Sequence, residues 1–196
     1  MKPACAGSLG EVRMTGSGSG RAAGAWRWWL WILLATAAAA GRAPGEFEVK
    51  AAFLFNFAKF VDWPEPSPGR GPMVIGVVGD DPFGPVLPQI VREQTVRGRR
   101  IEIRRFRADD DFEACHILFL SRSVAAEAEG ILGRLRGRPV LTVSDVEGFA
   151  ERGGTIGFAL VEQSVRFDIN LDAATAADLR MSAKLLAVAR KVIRTP

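Results

Sequence analysis

The sequence predicts an α/β protein: a three-layer α/β/α sandwich built on a mostly parallel sheet, with an antiparallel hairpin at one edge. Three observations carry that expectation. Met73 to Gly79 (MVIGVVG), His116 to Leu120 (HILFL) and Pro139 to Val143 (PVLTV) are continuously apolar rather than alternating, the mark of strands covered on both faces. Segments of helical period separate them, and right-handed crossovers then place helices on both sides of the sheet. Thr155 to Leu160 and Val165 to Asn170, joined by a short polar turn, have the spacing of a hairpin.

The amino-terminal residues 1–43 are expected to be a leader and signal peptide rather than part of the fold. Arg27 precedes Trp28 to Ala40, a run rich in Trp, Leu and Ala that ends Ala38-Ala39-Ala40. It falls short of the ~20 residues a helix needs to span a bilayer, and it matches a secretory signal cleaved after Ala40 or Ala43. Met14 suits a start for a signal of ordinary length. The single folded domain is then residues 46–194.

Removing the leader changes two readings. The full chain has 26 basic and 22 acidic residues; a cut after Ala40 removes Lys2, Arg13, Arg21, Arg27 and Glu11, leaving 22 against 21. The high pI therefore gives no support to a nucleic-acid binder, which needs a persistent basic stripe. Cys5 leaves as well, so Cys115 has no internal partner. Beside the apolar HILFL run it is expected to be a buried free thiol.

The first element of the domain is Phe47 to Pro64, FEVKAAFLFNFAKFVDWP, with five phenylalanines and one tryptophan. At helical period Phe53, Phe57 and Phe60 form one stripe, and Phe47, Ala51, Leu54, Ala58 and Val61 another. Glu46, Lys50, Asn56 and Lys59 are left as a narrow wet strip. Such a helix is buried on most sides, and Pro64 stops it. Its second aromatic face needs a cover, expected from the C-terminal helix or a second subunit.

After a Pro/Gly linker and the first strand, Asp80 to Gly84 is a turn and Pro85 to Arg92 a short helix. Val96 to Phe106 holds a turn and a strand with Ile101 and Ile103 on one face; its arginines Arg97, Arg99, Arg100, Arg104, Arg105 and Arg107 either blunt a strand edge or form a docking patch. Asp109 to Glu113 is a polar connection or a first helical turn. Ser121 and Ser123 are placed to cap a helix carrying Val124, Ala128, Ile131 and Leu135. Asp172 is expected to cap one long helix reaching Val192.

Catalytic chemistry finds few residues to use. In such a Rossmann-like layering ligands lie outside the carboxyl ends of the strands, here the loops Gly79 to Gly84, Ser121 to Ser123 and Ser144 to Gly154. Asp80-Asp81 resembles the paired acids of a phospho-acceptor site, but the acceptor position holds Ser121. His116, the one histidine, opens a buried strand, so a triad lacks a reachable base. Ligands for zinc are too few, and no Gly-rich nucleotide loop is present.

The segments EFEVKAAFLFNFAKFVDWP, VIGVVGDDPFG, CHILFLS, RPVLTVSDVEGFAERGGTIGF and VRFDINLDAATAADLRMSAKLLAVAR resemble, in order and spacing, the YfiR/HmsC family of exported regulators, from about Glu46 to Arg190. The resemblance implies a periplasmic, non-enzymatic homodimer without cofactors that restrains a membrane diguanylate cyclase through its periplasmic domain and is itself sequestered by an OmpA-like outer-membrane lipoprotein. Its output would be lower cyclic di-GMP and less biofilm. Some members carry disulfides from the Cys115 strand to the first strand and across the loop before the hairpin. Here Gly76, Ala150 and Gly157 stand at those partner positions, so redox control through bridges is not expected. The matched loop Phe149 to Gly154 is the expected partner contact, with Phe149 as an exposed aromatic anchor and Glu151 and Arg152 as a polar rim; the alternative tucks Phe149 under the sheet. A different class of function, binding an anion or an aromatic metabolite at the strand-end loops, stays open.

Overall fold

The computed structural model describes residues 45–64, 71–112 and 114–194. The expected leader, its cleavage site and most of the Pro/Gly linker lie outside them. Helix α1 (Glu46–Phe60) opens with the Gly45 amide donating to Glu48 Oε2 at 3.0 Å. It ends one turn before Pro64, where Val61–Asp62 (β1) turns extended. There follow β2 (Met73–Val78), α2 (Val86–Val91), β3 (Thr95–Val96), β4 (Arg99–Phe106) and β5 (Ile117–Leu120). A 3-10 turn (Arg122–Val124) leads to α3 (Ala128–Arg134), then β6 (Leu141–Ser144), β7 (Ile156–Val161) and β8 (Ser164–Asn170). The chain closes with α4 (Leu171–Ala176), β9 (Arg180–Met181), α5 (Ala183–Val188) and β10 (Lys191–Ile193).

The strands form an eight-stranded sheet, order β10-β8-β7-β6-β5-β2-β4-β3, and a separate two-stranded ribbon, β1-β9. The α/β fold class expected from the sequence is what forms. Strands β4, β2, β5, β6 and β7 run parallel, and β8 returns antiparallel to β7. Both hairpins, β3–β4 and β7–β8, close through two residues of positive φ, Arg97-Gly98 and Glu162-Gln163, the turn geometry whose twist suits paired strands. β8 is not the sheet edge, because β10 adds parallel to it.

The continuous apolarity of the central strands is explained by two cores. Ile75, Val77, Ile117, Phe119, Leu141 and Val143 face one core with α1, α2 and α5. Val74, Val78, Leu118 and Leu120 face the other, closed by Val124, Ala128 and Ile131 and by Phe149 from the loop after β6.

Four expectations are corrected. Lys50 is 3% exposed, not on a wet strip. The β7–β8 hairpin, expected at the sheet edge, has β10 outside it; it packs on the aromatic face of α1, where Phe167 lies 5.2 Å from Phe53 and 5.1 Å from Phe57, centroid to centroid, and Phe158 stacks on Phe57 at 5.9 Å, in one core with Leu185 and Leu186 of α5. Ser121 and Ser123 do not cap through their side chains; their hydroxyls bond each other at 2.7 Å, and Ser123 Oγ accepts from the Asp80 amide at 2.8 Å.

The fourth correction is the long C-terminal helix, which is broken into α4, β9, α5 and β10. Asn170, not Asp172, caps α4, its side chain accepting from Ala173 N at 2.9 Å. Asp178 then takes φ +53°, while Leu179 N bonds Ala174 O and Asp178 N bonds Thr175 O. That pair of bonds is the Schellman stop, usually made with glycine. Ser182 starts α5 by accepting from Leu185 N at 3.2 Å.

Candidate functional site

The parallel core order β4-β2-β5-β6-β7 reverses direction between β2 and β5, and at such a switch point α/β sheets open a ligand crevice. In this protein that place is filled. Gly79 has φ +82°, and a Cβ there would lie 2.4 Å from Ser123 Oγ and 2.7 Å from Ser121 Oγ. The two serines press against the bare backbone, and Asp81 closes the same loop by accepting from Phe83 N at 2.8 Å and Gly84 N at 3.2 Å.

The open crevice lies one strand further along, where β7 and β8 run on past the end of β6. It has a volume of about 470 Å³, lined by Arg122, Asp145, Glu147, Phe149, Glu151, Gly157, Leu160, Asp168 and Arg190 among others. Two carboxylates are buried in its floor. Asp145 directly follows β6; its Oδ2 accepts from Lys50 Nζ at 2.7 Å and meets Arg122 Nε at 3.3 Å. Asp168, on β8, is gripped in two-pronged fashion by Arg190, whose Nε donates to Oδ1 at 2.8 Å and whose second nitrogen donates to Oδ2. The carboxylate holds the Arg190 guanidinium pKa above its ordinary value, chiefly through that hydrogen bonding.

Lys50 reaches this floor because it lies four residues before Leu54 and seven before Phe57, on the buried stripe of α1. It also bonds Glu46 Oε1 at 2.5 Å and sits 4.7 Å over the Phe47 ring. The helix is thereby fixed to the loop after β6 by an interaction spanning 95 positions of sequence.

The structure separates the three residues expected at the partner contact. Phe149 is 1% exposed, so it is not a surface anchor. Its ring occupies the space over Gly154, where a Cβ would lie 2.1 Å from Phe149 Cε1, and it belongs to the second core. Glu151 stands on the crevice rim and pairs with Lys191 at 3.2 Å. Arg152 turns to another groove, of about 720 Å³, between α3, α4 and the start of β7. Of the expected core or dimer helix residues, Phe57 is fully buried, and Phe53 and Phe60 are half-buried against the first core.

Cys115 is a buried free thiol, as expected, and burial pushes its pKa up to about 12, far from a reactive thiolate. A Cβ on Gly76 would lie 2.9 Å from Cys115 Sγ, and a Cβ on Gly157 3.5 Å from Ala150 Cβ. The positions that the resemblance paired are therefore neighbours here, one pair with a single sulfur and the other with none. Half of the arginines in this stretch are ion-paired: Arg97 with Asp62, Arg104 with Glu102 at 2.7 Å and Arg105 with Asp81 at 2.7 Å, while Arg99 donates to the Gly71 and Pro72 carbonyls.

A family model described as YfiR/HmsC-like matches residues 47–190. Among curated proteins none matches. Among solved structures, a conserved domain protein from Vibrio cholerae O1 biovar El Tor strain N16961 is similar with a TM-score of 0.51 and 13% identity, over 76% of this chain. The chain spans 60% of that protein's length, and at that identity the likeness speaks for the fold alone.

Proposed function

We propose, from the premise that this chain belongs to the YfiR/HmsC-like family, that it is an exported regulator acting by protein contact rather than catalysis. In this reading it works in the periplasm as a homodimer. It restrains a membrane diguanylate cyclase by binding the cyclase's periplasmic domain, and so lowers cyclic di-GMP and biofilm formation. An OmpA-like outer-membrane lipoprotein would relieve the restraint by sequestering it. Such a mechanism requires only that the regulator bind one state of the cyclase better than the other.

The observation that best supports a contact protein is the state of the strand ends. Polar groups there bond one another: Ser121 with Ser123, Ser144 Oγ with the Leu120 carbonyl at 2.7 Å, and Lys50 with Asp145. They lock loops in place instead of presenting a nucleophile beside a base. The testing experiment deletes the gene and measures cyclic di-GMP. A rise, reversed by the gene supplied in trans, is expected; an unchanged level overturns the repressor reading.

The groove of about 720 Å³ is of ligand size and favours a second reading, a small-molecule sensing module. That reading predicts a concentration-dependent rise in Tm with an anion or aromatic metabolite.

A further inference from the structure

We infer that the crevice beyond β6 is a docking pocket for a basic side chain, a guanidinium or ammonium, presented by the protein partner. The inference rests on the contact-regulator reading and supplies the chemistry of its contact.

Charge on the crevice floor is the first argument. Lys50 is shared by two carboxylates, Glu46 at 2.5 Å and Asp145 at 2.7 Å. One cation against two anions leaves a negative charge uncompensated within that group. The Asp168–Arg190 and Glu151–Lys191 pairs are each neutral, and Glu147 adds a further negative charge at the mouth. Arg122 is the lining cation left to answer these charges, with the Arg152 guanidinium nearby at Gly148. The Arg122 contact with Asp145 is long, 3.3 Å, and its side chain is 68% exposed, so water screens it and a competitor can displace it.

An acceptor already open to the crevice is the second. The Asp145 side chain is 4% exposed and lines the cavity. Its Oδ2 holds Lys50 and Arg122, whereas its Oδ1 accepts no hydrogen bond from any described residue. Nor is Oδ1 sealed: among the described residues His116 Nε2 is the one fully enclosed side-chain polar atom without a partner. A buried carboxylate oxygen facing a cavity is matched by an ionised donor, the strongest kind of hydrogen bond it can accept.

The surroundings favour a side chain on a protein over a free small molecule. Small-molecule sites are mostly apolar and enclose their ligand. Here half of the lining residues carry a charge, and the exposed apolar surface at hand is Leu160, a lining residue that is 57% exposed. A basic anchor entering the crevice with apolar contact around it is the usual build of an interface hot spot.

The test is an NMR titration of the full exported protein with L-argininamide, standing in for the partner's side chain, and separately with inorganic phosphate. Argininamide is expected to shift the amides of Gly148, Gly157 and Asp168 saturably. Asp145→Asn should weaken it roughly tenfold or more, and Arg122→Ala should tighten it by removing the internal competitor. If phosphate binds instead and Arg122→Ala weakens it, the crevice is an anion site and the inference is wrong. Shifts scattered over surface carboxylates and insensitive to Arg122→Ala would equally overturn it. Should Asp145→Asn fail to fold, the exposed pair Glu147→Gln/Glu151→Gln serves, with weaker argininamide binding expected. In cells that pair should raise cyclic di-GMP towards the deletion level. A deletion that raises it while the pair does not rejects the pocket and spares the regulator reading, whereas a silent deletion rejects the regulator.

Discussion

His116 accepts a hydrogen bond from the Val74 amide through Nδ1 at 3.1 Å, which places its proton on Nε2, a buried donor without an acceptor. Burial, and secondarily the positive charge of Arg99, push its pKa down from 6.5 to about 4. The unfolded chain therefore takes up this proton first. Stability is full above pH 6.5 and drains as pH falls towards 4, by roughly 3 kcal/mol for a shift of this size. His116→Gln keeps an acceptor without titrating. Urea denaturation of both proteins across pH 4 to 7 should show their stability difference changing within that window and flat above it.

Lys50 gives a second expectation at this scale. Lys50→Met leaves Asp145 buried with only the exposed Arg122 near it, and breaking a buried pair in this way costs about 3–5 kcal/mol. Adding Asp145→Leu should recover part of the loss, because the stranded charge goes too. Chemical denaturation of the two single variants and the double closes the cycle, and additive losses would mean that the two side chains are not coupled.

At the level of elements, packing holds the loop between β6 and β7 where the family resemblance pointed to a bridge in some members. Ala150 and Gly157 have the spacing a disulfide needs, since a Cβ on Gly157 would stand 3.5 Å from Ala150 Cβ. Ala150→Cys/Gly157→Cys should oxidise spontaneously and add about 2 kcal/mol for so short a loop. The expected readout is a Tm that drops on reduction in the variant and stays put in the parent. Gly76 is different: a Cβ there also meets Leu118 Cδ1 at 2.7 Å and Phe106 Cε2 at 2.9 Å. A cysteine at Gly76 would have to push two side chains aside.

Elements were legible in the sequence wherever one local rule governs them. Continuous apolarity gave β2, β5 and β6, and the paired runs gave the β7–β8 hairpin. The C-terminal helix misled because its stop is made by Asp178 in the left-handed region, a position where glycine is the usual signal. Phe149 misled because nothing near it in sequence says that Gly154 leaves room for its ring. The crevice was invisible for a plainer reason. Lys50 meets Asp145 across 95 positions and Asp168 meets Arg190 across 22, and no periodicity encodes such partners. Charge alone assigns Lys50 to the wet strip, although its spacing to Leu54 and Phe57 is that of the buried face.

For the folded domain as a whole, the end of the first helix and the carboxyl-terminal segment are interlocked. β1 pairs with β9 through Val61↔Met181 and Asp62↔Arg180, and the Ser182 amide donates to the Phe60 carbonyl at 3.0 Å. Removing residues 179–196 therefore strips α1 of its end partner and Asp168 of its cation. The shortened chain is expected to lose its cooperative thermal transition and expose its aromatic face, measured by calorimetry and dye binding. Retention of a sharp transition would show that the parallel sheet alone carries the fold.

The β1–β9 ribbon has a consequence for how the fold comes into being. Among the described elements α1 comes first in the chain, whereas the strand that locks its end lies near the carboxyl end. Contacts of such long sequence separation form late. The lock on the helix end therefore waits for Arg180–Met181, so the end of α1 is the part of the fold whose pairing is completed last in sequence.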